Sequence, residues 1–537
     1  MQASARRGRA AWAAGFALVA ASMIVRPARS QAPAVDAAVA PEPVPTPTED
    51  DDGDDGAGPA PVTAPADPAA RRAWLTAQLD GAVAALPRLA PAAIGAIVVD
   101  VTTGETLWSH GADRPLSIAS AQKIFTAATA LATLGPGFRW RTTIYGEAFD
   151  PATGVVDGDL IVRGRGDPTL TQAGLANLVR DLAWRGVTRV TGDLVFDGSY
   201  FDDVDEPPRY DDQPKERAGF RAPIAAASLE RNAVTVVVVA DRRGLGLAEV
   251  TLDPPVSDYV RLVEDEVVTV ATGRTRIAVT TEVKRDRLEL RVRGQINADD
   301  AVSFVRRRVD DPAALLAEAL RSELAAAGIR VRGKLVRRAI APGDPVVVLA
   351  ERASPPLGEV LRDLVKSSDN YLAETVLKTI GAEVRAAPAG RPATWDDGLA
   401  EVKAYAAAAG VAVDAIRIDN GSGLFDATAV PAEALAKVLV AAWRDFRVGP
   451  ELAGALAIGG VDGTLRRRFT EPSVRGRIRG KTGTLAAVSS LAGYAASDGR
   501  HPLAFAVIVD QLPAGTRADA RALQEAVAVA ALAYGAP

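Results

Sequence analysis

Three short patterns in this 537-residue chain bring a hydroxyl together with an amine or an amide. In chain order they are Ser120-Ala121-Gln122-Lys123, Ser368-Asp369-Asn370 and Lys481-Thr482-Gly483-Thr484. Positions i and i+3 share a helix face, so a helical 120–123 segment lets the Ser120 hydroxyl meet the Lys123 amine. Attack on a carbonyl by a hydroxyl needs a base, and an uncharged amine is one. A serine at a helix N-terminus also has backbone N–H groups and the helix dipole beside it, both of which favour negative charge on a bound carbonyl oxygen. Gly483 would let a substrate backbone lie close along the third segment. Each pattern alone is weak. Ser-x-x-Lys is also an ordinary solvated helix face, Ser-x-Asn a plain N-cap and Lys-Thr-Gly a plain turn. Together and in this order they point to acyl transfer through a serine nucleophile.

The composition removes the competing chemistries. With no cysteine there is no thiolate nucleophile, disulfide or cysteine-based zinc site. Only two histidines are present, His110 and His501, so a multi-histidine metal site is nearly excluded; both read as surface residues. No metal and no cofactor is expected. A formal net charge of −5 offers no electrostatic case for nucleic acid as a partner. Catalysis falls to Ser, Lys, Asp, Glu, Tyr or Arg.

The elements that must position these residues follow from periodicity. Helical spacing runs over 71–86, and 94–101 reads as a buried strand, followed past a Thr103-Gly104 turn by a second strand at 105–108. The pattern is helical from Ala119 to Leu134 and is ended by Gly135-Pro136-Gly137. Between about 139 and 349 short β-rich runs alternate with Gly and Asp turns, interrupted by helical stretches at 175–185 and 312–327. Helices return from Leu357 to Ala442. Strands are expected at 478–484, 489–496 and 503–509, and a last helix at 518–534. The two end regions share a helix-plus-strand character that the middle lacks. An α+β domain split by a β-rich insertion explains this economically.

Taken together, the three patterns resemble those of the penicillin-recognising serine acyl-transferases, and within them the class C low-molecular-mass penicillin-binding proteins, which are D-alanyl-D-alanine carboxypeptidases and endopeptidases. Further stretches are similar to the family: Ile118 to Lys123 followed by Leu134-Gly135-Pro136, Gly164 to Leu170, Asp419 to Leu424, and Gly460 to Leu465. The 164–170 loop lacks the third glycine of a dinucleotide fingerprint. Two departures stand out, Ala121 where Thr is common and Phe425 where the family usually has serine. The resemblance implies a β-lactamase/transpeptidase-like domain, an antiparallel sheet flanked by helices, at 69–138 and 350–537. It is split by one inserted domain at 139–165 and 235–349 and a second at 166–234.

The resemblance also implies the roles. Ser120 is the nucleophile and Lys123 its base, favoured in the uncharged form by desolvation and by the charge of Lys481. Ser368 relays a proton to the leaving amine. Asn370 holds Lys123 and a substrate amide. Lys481 and Thr482, with Gly483 and Thr484 on the same strand, bind the terminal carboxylate, and the N–H groups of Ser120 and Thr484 form the oxyanion hole. Asp369 is structural and points away from substrate. The implied partners are peptidoglycan stem peptides, with β-lactam antibiotics as covalent inhibitors. A β-lactamase of the same superfamily and a non-catalytic wall scaffold are the alternatives.

The N-terminus carries Arg6, Arg7 and Arg9, an apolar run from Ala11 to Val25, and Ala28-Arg29-Ser30. It reads as a secretory signal over 1–30, with an uncleaved membrane anchor as the alternative. Export would place the protein in the periplasm or elsewhere outside the cytoplasm. Residues 31–68, rich in Ala and Pro with an acidic run from Glu49 to Asp55, read as an extended tether.

Overall fold

Strand Ala93–Asp100 is buried along nearly its whole length, and so is Leu503–Asp510 from the other end of the chain; the two pair antiparallel. They form the centre of a six-stranded sheet in a computed structural model that describes residues 62–536 apart from 256, 342, 385–390, 499 and 500. The expected signal and the acidic run lie outside the described residues. The strand order is Thr106–His110, Ala93–Asp100, Leu503–Asp510, Val488–Ala495, Ile478–Leu485 and Ala457–Ile458, with every neighbouring pair antiparallel.

Strands buried on both faces need cover on both. Ala96, Val98, Val507 and Val509 point into one core with Leu75 and Leu79 of helix Pro68–Ala84 and Val527 of helix Arg517–Gly535. Ile97, Val99, Ala506 and Ile508 point into the other with Phe125 of helix Lys123–Leu134 and Leu435 of helix Ala432–Arg444. The chain's final helix is thus part of a core. Among the described residues no helix is long and apolar enough to cross a membrane. Every residue from Lys123 to Leu131 is buried, so this helix is enclosed on all sides and carries Lys123 inward with it.

The middle of the chain leaves this sheet and returns through neighbouring strands, Arg141–Gly146 and Val347–Ala353, which pair with each other. They belong to a five-stranded sheet completed by Leu160–Gly164, Leu194–Asp197 and Leu335–Arg337. Residues 233–308 hold two three-stranded sheets. One has Ala233–Val239 between Glu249–Asp253 and Val302–Arg308; the other has Arg287–Asn297 between Val260–Val270 and Arg276–Lys284.

These pairings do not follow the expected inner boundaries. Leu194–Asp197 falls inside the segment 166–234 expected to be a separate insertion, yet it pairs in parallel with Leu160–Gly164. The reason is the crossover. A parallel pair requires a long connection, here made by helix Gln172–Trp184, so the partner strands look unrelated in local texture.

Candidate active site

Ser120 lies on a 3-10 turn, Ala119–Gln122, that runs directly into helix Lys123–Leu134. The turn is entered through Ala119 in the left-handed region, at φ 46°. The Lys123 amine donates to Ser120 Oγ at 2.9 Å, to Asn370 Oδ1 at 2.7 Å and to the carbonyl of Ser422 at 2.9 Å. Lys123 is fully buried, whereas Ser120 stays half-buried and reachable. An amide oxygen and a carbonyl oxygen can only accept. In an uncharged amine they would therefore take up both N–H groups and leave the lone pair for the Ser120 hydroxyl. Two fixed acceptors thus hold the amine against Ser120 Oγ.

Asn370 opens helix Asn370–Val384, and Ser368 sits in the break after helix Leu357–Lys366. Ser368 has φ 61°, and its buried hydroxyl makes no hydrogen bond. A non-glycine residue held there costs roughly 1–3 kcal/mol and persists only where its surroundings enforce it. Asp369 enforces it from both sides. It accepts the Leu372 N–H at 2.9 Å, capping the helix, and pairs with Arg231 at 2.6 Å. Burial alone would raise its carboxyl, but Arg231, the Leu372 N–H, Arg306 and Lys123 together hold it below the usual range. This is the structural role expected of Asp369.

Lys481, Thr482, Gly483 and Thr484 lie on strand Ile478–Leu485. Lys481 is buried, and its amine donates to the Thr482 carbonyl at 2.6 Å. Thr482 Oγ1 donates to Thr464 Oγ1 at 2.8 Å. Gly483 packs tightly against its neighbours. A Cβ there would overlap Ser490 Oγ and the Ile118 carbonyl and come within 3.0 Å of Ala121 N. The turn that carries Ser120 presses on this strand and leaves no room for a side chain at this position. Ser490 Oγ donates to the Ile118 carbonyl at 2.7 Å, tying the same turn to the next strand. The short strand Ala457–Ile458 pairs only with Arg479 and Gly480. Among the described residues, no strand covers this edge from Lys481 to Leu485.

Three participants were not read from the sequence. The Ser422 carbonyl reaches Lys123 because Gly423, at φ 77°, sits where a Cβ would overlap the Ala119 carbonyl. Glu374 is fully buried and accepts from the Gly421 N–H at 2.9 Å and the Ser422 N–H at 2.8 Å. Burial pushes its carboxyl up, against those N–H groups and the nearby Lys123 amine. The readable signal was its position four residues after Asn370, on the same helix face. Tyr210, from the inserted stretch, lies 3.3 Å from Ser422 Oγ and stacks edge-on against Phe425, so the departure at Phe425 is filled by an aromatic pair.

Known proteins resemble this chain over most of its length. The profile of the D-Ala-D-Ala carboxypeptidase 3 (S13) family matches residues 75–533. A D-alanyl-D-alanine carboxypeptidase of Actinomadura sp. (strain R39) is 32% identical over 426 residues, covering 76% of each chain. The D-alanyl-D-alanine carboxypeptidase DacB of Haemophilus influenzae is 25% identical over 427 residues, 79% of this chain and 86% of its own. The crystal structure of penicillin binding protein 4 (dacB) from Haemophilus influenzae superposes with a TM-score of 0.68 at 23% identity, covering 84% of this chain and 97% of that one. That likeness supports the expected α+β transpeptidase-like fold. The chain belongs to the D-Ala-D-Ala carboxypeptidase 3 (S13) family and is a serine-type D-Ala-D-Ala carboxypeptidase.

Proposed function

We propose that Ser120 and Lys123 cleave the terminal D-alanyl-D-alanine bond of peptidoglycan stem peptides through an acyl-enzyme. The observation that carries this assignment of roles is the Lys123 amine bonded to Ser120 Oγ, Asn370 Oδ1 and the Ser422 carbonyl. Lys123 takes the Ser120 proton as Oγ bonds to the carbonyl carbon of the penultimate D-alanine. The C–N bond breaks as the Ser368 hydroxyl, which has no competing partner, passes its proton to the departing amine and is reprotonated by the proton Lys123 took from Ser120, which leaves Lys123 uncharged again. Water then attacks the ester, its proton returns through Lys123, and Ser120 is released. The edge from Lys481 to Leu485, with which no described strand pairs, suits an extended peptide laid alongside it. Lys481 and Thr482 bind its terminal carboxylate by charge-assisted bonds. The N–H groups of Ser120 and Thr484 receive the carbonyl oxygen; losing one such donor costs about 3 kcal/mol of transition-state stabilisation. β-Lactams acylate the same hydroxyl. The basic, then apolar N-terminus supports export, so the enzyme acts outside the cytoplasm, where its substrate is.

The test is covalent labelling by a fluorescent penicillin alongside D-alanine release from a pentapeptide. Ser120→Ala abolishes both while the variant keeps its melting temperature. Full labelling of that variant, or an adduct mapped by mass spectrometry to another peptide, would refute the assignment.

A further inference from the structure

The loop Gly460 to Leu465 has no part in the chemistry above, yet one of its side chains touches the carboxylate-binding strand. Thr464 lies on the 3-10 turn Gly463–Leu465, and its hydroxyl meets that of Thr482 at 2.8 Å. The turn is held from several sides. Asp462 accepts the Ile458 N–H at 2.8 Å and the Lys366 amine at 2.7 Å. Lys366 also donates to the Leu456 carbonyl at 3.0 Å. The Gly460 N–H donates to the Leu465 carbonyl at 3.0 Å, and the Leu465 side chain is fully buried. A Cβ on Gly463 would come within 2.7 Å of the Lys366 carbonyl, which fixes how close the turn lies to helix Leu357–Lys366. The Thr464 hydroxyl is therefore a placed group.

A threonine hydroxyl has one proton and two lone pairs. The Thr482 hydroxyl donates its proton to Thr464 Oγ1. A carboxylate is acceptor-only, so Thr482 must turn that proton toward it and can then only accept from Thr464. Thr464 answers by rotating its own proton onto Thr482. The result is a two-hydroxyl chain in which each bond strengthens the next. We propose that Thr464 is a specificity-determining positioning residue, whose hydroxyl orients that of Thr482 toward a free terminal carboxylate and so favours substrates ending in an acid over those ending in an amide. This rests on the reading of Thr482 as a carboxylate ligand.

The experiment compares an N-blocked tripeptide ending in D-Ala-D-Ala with the same peptide carrying a C-terminal amide, in the full chain. Removing one hydrogen bond of ordinary strength corresponds to roughly fivefold in KM. Thr464→Val raises KM for the acid by about that factor, leaves the amide's KM unchanged, and so lowers the acid-over-amide preference; Thr464→Ser restores it. Thr464→Ala carries the same expectation should the valine variant fold poorly. Thr482→Ala is the reference. If it keeps the wild-type preference, the carboxylate reading of Thr482 is wrong and the role of Thr464 falls with it. If it loses the preference while Thr464→Val and Thr464→Ala both keep it, the role of Thr464 alone is overturned.

Discussion

Arg231, contributed by the inserted stretch, pairs at 2.6 Å with Asp369, the residue between Ser368 and Asn370. Arg231 is the middle of three consecutive left-handed residues, Glu230, Arg231 and Asn232, at φ 49°, 55° and 50°. Such a run is unfavourable for residues with a Cβ. It is held by the Glu230 carboxylate accepting from Gln172 N at 2.7 Å and by Asn232 Nδ2 donating to the Pro223 carbonyl at 2.8 Å. The insertion thus carries local strain to deliver a guanidinium to the motif turn. We expect Arg231→Met to destabilise the protein by about 2 kcal/mol, between the values for exposed and fully buried pairs, and to slow acylation. Arg231→Met combined with Asp369→Asn should lose less stability than the two single changes added together. Denaturant titration of the four proteins measures that coupling; strict additivity would show that the pair does no bracing.

Lys123→Ala should slow penicillin acylation by roughly 10²- to 10⁴-fold, the range for loss of a general base, with labelling still at Ser120. Lys123→Arg should be no better, because a guanidinium does not deprotonate at working pH. Stopped-flow acylation rates decide this. An arginine variant of near-normal rate would remove proton abstraction from the role of residue 123.

Glu374→Gln should cost about 2 kcal/mol of stability and lower the acylation rate. The carboxylate accepts two main-chain N–H groups, and an amide replaces one acceptor by a donor facing a donor. The Gly421–Ser422 segment would then no longer aim the Ser422 carbonyl at Lys123. Thermal unfolding and acylation kinetics on the same preparation test both halves.

Asp205 gives a pH-dependent prediction. Burial, opposed by Lys378 and reinforced by Asp203 and Asp202, lifts its carboxyl to about 6. The unfolded value is near about 3.9, so the native state holds the extra proton between these limits. Stability from this group is present below the unfolded value and is lost as the pH rises through the folded one. Asp205→Asn should therefore raise the melting temperature at about pH 8 and give little or no gain near about pH 3.5. An equal gain at both would rule out titration of Asp205 as its origin.

Much of the site was legible because its geometry is local. Ser120 and Lys123 meet through helical spacing alone, and the end regions show their strands and helices through periodicity. What was hidden depends on which elements pack together. Glu374 reads as an ordinary helix-surface acid until its helix is seen to be enclosed by the 419–424 loop. Thr464 gains meaning only because its turn lies against the strand of Thr482. The crowding at Gly483 comes from a turn that is remote in sequence. The pairing of Leu194–Asp197 with Leu160–Gly164 was hidden because helix Gln172–Trp184 separates the two strands in sequence.

That no described strand pairs with the stretch from Lys481 to Leu485 has a consequence for selectivity. A guest added as a further strand would be gripped through amide and carbonyl groups that every residue carries. That grip is indifferent to the identity of the middle residues. Wall precursors of differing composition should compete for the groove on nearly equal terms, and discrimination is left to whatever reads their ends.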